Sequence, residues 1–476
     1  MGQGWDEHEY IEQGYKLVEL IKKGDFNNPY FYNTYDHPPL VKYLYGITAH
    51  LDVSKYLNKG EVIFNYDYTY SRLLSSVISS LAIGIMFLFA WKYISPRVAF
   101  VSGIILSMLP FFLGFSQLVT TESLTMLIFT SVVFAWVSLL DNFTKKKLLL
   151  TGLLLGLAIQ VKQSNILLLP LMIATYIIWM KTTKIKFNAK HLKYVVLILG
   201  IALATFVVIW PQGILNLSKI YSLHKYYWNV TTSPPEIFFG NLMLTPIPYY
   251  FVMFAITTPI LILFLFLSGL SFINKQTSWI LFSVVAWFFI PFIQSFYPWR
   301  QHGVRYIIEI YAPLTIISAV GFDFLTRKLT NKNLKINLLF IPVVLYMFIT
   351  LVRLSPYYLD YFNAFVGGTK GVYQNKSFQI GWWGQGVRSA SIYILKNLPE
   401  GSRVGVAVSP IHAVPVMKKF RMENFNFDKK YDYVLINYYS VLREQFNESK
   451  LKQNYYEIYR VNVDGAVLAK VYKSRN

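Results

Sequence analysis

Ten apolar stretches dominate this chain, and they restrict what it can become more than any other feature. They run over 70–91, 98–115, 119–140, 147–160, 163–181, 194–212, 247–270, 278–297, 305–325 and 336–353. A helix that crosses a bilayer needs about 20 mainly apolar residues, because hydrocarbon offers no water to satisfy the backbone. The 147–160 run is short and meets the next across Val161-Lys162-Gln163-Ser164-Asn165, so these two are the least distinct as separate spans. Composition agrees: the 476 residues are 54% hydrophobic and only 14% charged, against about 25% charged in soluble domains. An ordinary soluble enzyme and a disordered chain are thereby excluded. Gly 26 and Pro 20 are too few for a fibrous repeat. The expected fold class is a polytopic α-helical membrane protein.

Lys+Arg 45 against Asp+Glu 24 gives a net charge of +21, which suits a partner carrying phosphate. The hydropathy selects membrane lipids over nucleic acid as that partner. Cys is 0, which removes disulfides, thiolate metal sites and cysteine nucleophiles. Alternate connections between the spans are basic: Lys92 and Arg97; Lys145 to Lys147; Lys181, Lys184, Lys186, Lys190 and Lys193; Lys275; Arg327, Lys328, Lys332 and Lys335. Short basic loops mark the cytoplasmic side. By parity, residues 1–69, 212–246, 297–304 and everything after 354 lie outside. A polar segment such as 1–69 does not cross a membrane unaided and carries no signal peptide, so a further span is expected upstream of Trp5.

Three regions follow. Residues 1–69 form a first outer loop, in which Ile11, Tyr15 and Val18 at i, i+4, i+7 predict an amphipathic helix lying on the bilayer. Residues 70–353 are the spanning domain. Residues 354–476 are expected to be a small extracytoplasmic α/β domain, with a helix over 384–398 and strands over 404–408 and 431–437. A hairpin over 455–473 turns at Asp464-Gly465.

Ionisable groups at membrane depth are costly and suggest function. Here they gather at the outer ends of the spans: Asp6, Glu7, His37, Lys42, Arg72, Glu122, Lys162, Arg300, His302 and Arg305. Acids and cations at one depth suit a reaction on a lipid-linked phosphate, the acids activating an acceptor and the cations holding the phosphate. Each residue also has a plainer reading. Arg72 and Lys162 are long enough to snorkel to headgroups. Arg305 and Glu309 stand i, i+4 and are read as an intrahelical ion pair. Glu122 follows Thr120-Thr121 and fits a capped helix start. His37 precedes a rigid diproline, Asp6-Glu7 fit first-turn acids of a helix, and the many Tyr and Trp fit interfacial belts. Convergence on one face favours function.

Trp5-Asp6-Glu7-His8-Glu9-Tyr10, Tyr35-Asp36-His37-Pro38-Pro39-Leu40-Val41-Lys42 and Arg72-Leu73-Leu74-Ser75-Ser76 together resemble the protein O-mannosyltransferase-like family of C-type glycosyltransferases, glycosyltransferase family 39. Gly156-Leu157-Ala158 with Lys162, His302-Gly303-Val304-Arg305-Tyr306 with Tyr311-Ala312-Pro313, and Tyr357 to Asn363 with Gly367-Gly368 extend the likeness over most of the chain, in order. It departs from the family in lacking the first spanning helix before the Asp-Glu pair. The trefoil sugar-binding domain of the eukaryotic protein mannosyltransferases is not evident either; an α/β domain stands in its place.

The resemblance implies inverting transfer of a sugar, hexosyl or mannosyl, from a polyprenyl-phosphate donor to a protein hydroxyl, lipid or surface glycan at the outer face. Asp6 is the expected base, with Glu7 orienting the acceptor or the loop. Arg72, Lys162, Arg305 and His302 are assigned to the donor phosphate, and His37, Lys42 and Glu122 to positioning. A lipid monophosphate donor needs no metal bridging a diphosphate, so no cofactor is expected to be required, a divalent ion remaining open. A secondary transporter, an aminoarabinose-type lipid-modifying transferase and a receptor with a sensing outer domain are the competing readings. The transporter fits poorly because the spans are clean in their middles, and the receptor leaves the Asp-Glu and His-Pro-Pro arrangement unexplained.

Overall fold

The computed structural model describes residues 4, 6–33, 37–57, 68–219, 221–222, 235–273, 278–296, 303–329, 333–409, 411–415 and 417–475. All ten apolar runs lie on helical segments. Six helices are long and apolar enough to cross a membrane, or up to eight if each of two bent pairs is one span, among the described residues. The six are Thr69–Tyr93, Thr121–Asp141, Gln163–Thr183, Ala189–Ile209, Trp279–Phe296 and Arg305–Arg327. The Lys145–Val161 helix (17 residues) and the Asn333–Leu354 helix (22 residues) carry the remaining two runs. The chain is a multi-pass, mostly helical membrane protein with a small C-terminal sheet domain.

Two expected spans are not straight. The 98–115 run is broken into Pro96–Met108 and Pro110–Ser116 at 69°, and the 247–270 run into Tyr249–Thr257 and Ile260–Ile273 at 115°. The cause is the same in both. Pro110 and Pro259 lack an N–H, and a proline pushes the residue before it out of the helical region. Leu109 (φ −69°, ψ 121°) and Thr258 (φ −101°, ψ 134°) are accordingly extended. Lys162 is extended as well (φ −156°, ψ 135°) and separates the Lys145–Val161 helix from a 3-10 turn at Gln163–Leu167. The short run and its neighbour are therefore two helices, with a lysine at the break.

Before the first span, helices Glu7–Lys22 and Leu40–Leu57 pack together at a glycine crossing. A Cβ on Gly14 would lie 2.4 Å from the Lys42 carbonyl, and one on Gly46 would lie 2.2 Å from the Gly14 carbonyl. This close approach buries the apolar stripe of the first helix against protein. Ile11 and Leu17 are fully buried, with Ile11 in a cluster formed with Val41, Tyr45, Ala49, Leu124 and Val161. Tyr15 and Val18 remain partly exposed. A second small-residue crossing joins Ile260–Ile273 to the span through Arg305–Arg327, where Cβ atoms on Gly269 and Gly321 would meet facing carbonyls at 2.1 and 2.0 Å. Small residues are the usual device for bringing membrane helices close.

The C-terminal region holds a mixed five-stranded sheet. A two-stranded hairpin in the preceding region, β1 (Glu236–Phe238) and β2 (Asn241–Met243), lies outside it. The sheet comprises β3 (Arg403–Ala407), β4 (Arg421–Asn424), β5 (Tyr433–Asn437), β6 (Tyr455–Val463) and β7 (Ala466–Ser474), in the order β4-β3-β5-β7-β6. Strand β3 runs parallel to β4 and β5, while β7 is antiparallel to both its neighbours. The β6–β7 turn has positive φ at Asp464 (43°) and Gly465 (82°), the signature of a tight two-residue hairpin. The Val387–Asn397 helix packs on one face, its buried Val387, Ala390 and Ile394 joining Val404, Leu435, Leu468 and Val471 in one core.

Candidate active site

The Asp-Glu pair sits where the chain enters its first helix, and the two carboxylates do different things. Asp6 occupies the N-cap position, yet its side chain makes no cap bond. It reaches instead across the molecule, placing Oδ2 2.7 Å from Nη1 of Arg305. Its side chain is a quarter exposed. Glu7, one residue on, is fully buried. Its carboxylate accepts from the Arg72 Nε (2.9 Å) and Nη2 (2.5 Å), from the Val119 N–H (3.0 Å) and from the Gly4 N–H (2.6 Å). Four donors saturate it, so Glu7 ties the N-terminal helix to the Thr69–Tyr93 span and to the entry of the Thr121–Asp141 span.

The second centre is Glu122 in the first turn of the Thr121–Asp141 helix, fully buried. Its Oε1 accepts from the Arg305 Nε at 2.9 Å and lies 3.5 Å from the Lys162 Nζ. The Thr120 hydroxyl makes no cap bond to that helix. Lys162 is placed there by the extended break that ends the Lys145–Val161 helix, and its ammonium stands 4.6 Å from the centre of the Tyr306 ring. Asp6, Arg305, Glu122 and Lys162 thus form one continuous chain of charges. Buried charges are tolerated only when paired in this manner.

The i, i+4 pairing expected for Arg305 and Glu309 does not form. Residues Arg305–Ile310 make a 3-10 segment interrupted at Ile307 (φ −123°), which turns Arg305 toward Asp6 and Glu122. Glu309, also buried, instead approaches the Gln294 amide at 3.4 Å. His37 and Lys42 lie at the second helix: the Lys42 Nζ, fully buried, donates to the His37 carbonyl at 3.2 Å, and the His37 ring stacks parallel to Tyr10 at 6.3 Å. Lys42 thereby holds the diproline loop. His302 and Arg300 lie outside the described residues.

Several contributors are not among the residues the sequence singles out. Trp383 lies beneath the Arg305 guanidinium at 4.7 Å and is 3% exposed, so the segment leading into the sheet domain packs against the charge cluster. The adjacent Trp382-Trp383 pair, framed by Gly381 and Gly384, was the available clue. The Tyr45 hydroxyl bonds the Ser75 hydroxyl at 2.6 Å and donates to the Thr120 carbonyl at 3.1 Å, locking the second helix onto two spans. Nearby, the buried Glu236 of β1 accepts from the Tyr249 hydroxyl at 2.5 Å, which in turn accepts from the Gly303 N–H at 2.9 Å.

Fold and site together define a class: a polytopic membrane protein with an acid–base cluster gathered at one end of its spans. Residues 36–210 match the family model described as dolichyl-phosphate-mannose-protein mannosyltransferase, a stretch that includes His37, Lys42, Arg72, Glu122 and Lys162. Among solved structures, the chain is similar to ArnT from Cupriavidus metallidurans bound to undecaprenyl phosphate. The identity is 13% and the TM-score 0.52, over 98% of this chain and 94% of that one. ArnT in the apo state gives 13% identity and a TM-score of 0.48, over 98% and 93%. The Archaeoglobus fulgidus oligosaccharyltransferase in its apo form gives 12% and 0.42, over 83% and 54%. No curated protein matches the chain.

Proposed function

We propose that this protein transfers a sugar from a polyprenyl-phosphate donor to an acceptor on the extracytoplasmic face of the membrane, with inversion at the anomeric carbon. The observation that carries the reading is the Asp6–Arg305 contact at 2.7 Å, which sets a partly exposed carboxylate beside a buried cationic cluster. The family model over 36–210 and the ArnT-like fold support the donor class. The hexosyl or mannosyl identity of the sugar and the nature of the acceptor belong to the same proposal.

A hydroxyl is a poor nucleophile at neutral pH, so a carboxylate must take its proton as it attacks. Asp6 takes that proton. The acceptor oxygen bonds to the anomeric carbon while the bond from that carbon to the phosphate oxygen breaks, and the polyprenyl phosphate departs with the electron pair. Glu7 is a positioning residue, since its oxygens are occupied by Arg72 and two backbone N–H groups. Of the three cations, Arg72 has the most open side chain at 18%, against 3% for Lys162 and Arg305. Arg72 therefore touches the phosphate, while Lys162 and Arg305 act through their fixed field on the developing charge. His302, which resembles the family's donor-side motif, is part of the same proposal as a phosphate ligand.

Purified protein incubated with a panel of radiolabelled polyprenyl-phosphate sugars should release label from one of them to an acceptor. Asp6→Asn should lower turnover by about 10²–10⁴-fold while leaving donor binding largely intact. Turnover near that of the unmodified protein in this variant removes Asp6 from the role of base. Activity should also survive chelation; its loss in chelator and recovery with one divalent ion would reinstate a metal.

A further inference from the structure

At the other end of the spans lies a cavity of about 270 Å³, lined by Trp136, Phe143, Tyr176, Trp179, Asn188, Lys190, His191 and Tyr194, with aliphatic neighbours. Trp136 stands 14 residues beyond Glu122 on one helix, about 21 Å along its axis at 1.5 Å per residue. The cavity therefore takes no part in the acid–base cluster. Its walls are aromatic: Phe143 stacks on Tyr194 at 3.8 Å, and His191 stands edge-on to Tyr176 at 5.7 Å and to Trp179 at 6.2 Å.

Three polar atoms on these walls, the Trp136 Nε1, the Tyr176 hydroxyl and the His191 Nδ1, are buried and make no hydrogen bond among the described residues. The Trp136 residue is itself only 7% exposed. An indole N–H has no role except donation, and a buried donor without an acceptor is costly. Lys190 and His191 stand in the first turn of the 21-residue helix Ala189–Ile209, whose Lys190 and His191 N–H groups are capped by the Asn188 side chain at 3.0 and 3.3 Å, so the Lys190 and His191 side chains carry the positive charge and polar capacity on this wall. Asp141 falls between the lining residues Leu140 and Phe143, but from there to Glu236 the sequence contains no acidic residue, while Lys190 lines the cavity and Lys145, Lys146, Lys147, Lys181, Lys184, Lys186 and Lys193 are its neighbours in sequence. A cationic occupant of the aromatic cage is disfavoured by this field.

We infer that this cavity binds the phosphate headgroup of an anionic phospholipid, taken from the leaflet opposite the candidate active site. The Trp136 and Tyr176 donors, His191 and Lys190 hold the headgroup, and the Tyr and Trp rings embrace the glycerol and upper chains, as aromatic residues do at membrane interfaces.

The test is native mass spectrometry of the full chain released from nanodiscs of phosphatidylglycerol and phosphatidylcholine in equal amounts. One phosphatidylglycerol should be retained in preference to phosphatidylcholine. Lys190→Gln with His191→Gln should reduce that preference about tenfold, the loss of a charge-assisted bond, and Trp136→Phe and Tyr176→Phe should each reduce it while keeping the ring. Thermal unfolding of each variant checks that the fold survives. Equal retention of the two lipids, or a preference unmoved by all of these substitutions in folded protein, overturns the inference. Displacement of the lipid by inorganic phosphate also overturns it, because the site then belongs to a soluble anion.

Discussion

Arg305 concentrates the chemistry of the site in one side chain: it touches Asp6 and Glu122 and lies over Trp383. Lysine offers a point charge in place of a planar fork and cannot hold two carboxylates in this geometry, so Arg305→Lys should lower turnover by about 10²–10³-fold, measured as kcat with the radiolabelled donor. An unchanged kcat would return Arg305 to a purely structural role. Glu122 presents the opposite problem, because Arg305 and Lys162 depend on it. Glu122→Gln leaves two buried cations short of a partner and should cost about 3–5 kcal/mol of stability, read as a lowered unfolding midpoint in detergent. Asp360, beyond the last span, is buried with one oxygen accepting from the Gly381 N–H at 2.7 Å. Burial pushes its carboxyl up to about 7. A raised carboxyl means that the folded chain holds a proton the unfolded chain releases, so this group lowers stability as pH rises from about 4 to 7. Asp360→Asn keeps the acceptor and removes the titration; its stability relative to the unmodified protein should grow between pH 5 and pH 8 in thermal melts. A constant difference across that range would show that Asp360 does not titrate there. The types of residue at the site were legible, since acids and arginines at membrane depth stand out. Their partners were not: Asp6 and Arg305 are joined across nearly the whole spanning domain, and no local periodicity encodes that contact.

Among the elements, the helices were the most legible part, because an apolar run of the right length has few other solutions in lipid. The bends were written in the sequence as Pro110 and Pro259 but were hidden by the continuity of the apolar runs around them. The first helix shows the opposite effect. Its pattern announces an amphipathic helix, but whether the apolar side meets lipid or protein depends on Gly14 and Gly46, which periodicity ignores. Gly14→Ala brings a methyl against the Lys42 carbonyl at 2.4 Å, and backbone cannot rotate aside. The two helices must part, which should cost about 1–3 kcal/mol and lower the thermal midpoint. An unchanged midpoint would mean that the crossing is looser than described. The strands of the last domain were legible because turn residues such as Asp464-Gly465 bound them, whereas the mixed order β4-β3-β5-β7-β6 depends on long-range pairing.

For the whole molecule, the basic loops propose an orientation with the connections after Tyr93, Asp141 and Thr183 on the cytoplasmic side. The chain has Cys 0, so single introduced cysteines report without background. Lys186→Cys should react with an impermeant maleimide only after the cell is opened, and Lys452→Cys in intact spheroplasts. Labelling in the reverse pattern would invert the topology and, with it, the proposed side of the reaction.

The link from Asp6 to Arg305 also bears on biogenesis. A ribosome delivers these two residues far apart in time, and the intervening helices must insert before either meets its counterpart. A nascent polypeptide halted ahead of Arg305 therefore carries Asp6 without the guanidinium that pairs with it, and the charge cluster closes only once residue 305 of 476 has been made.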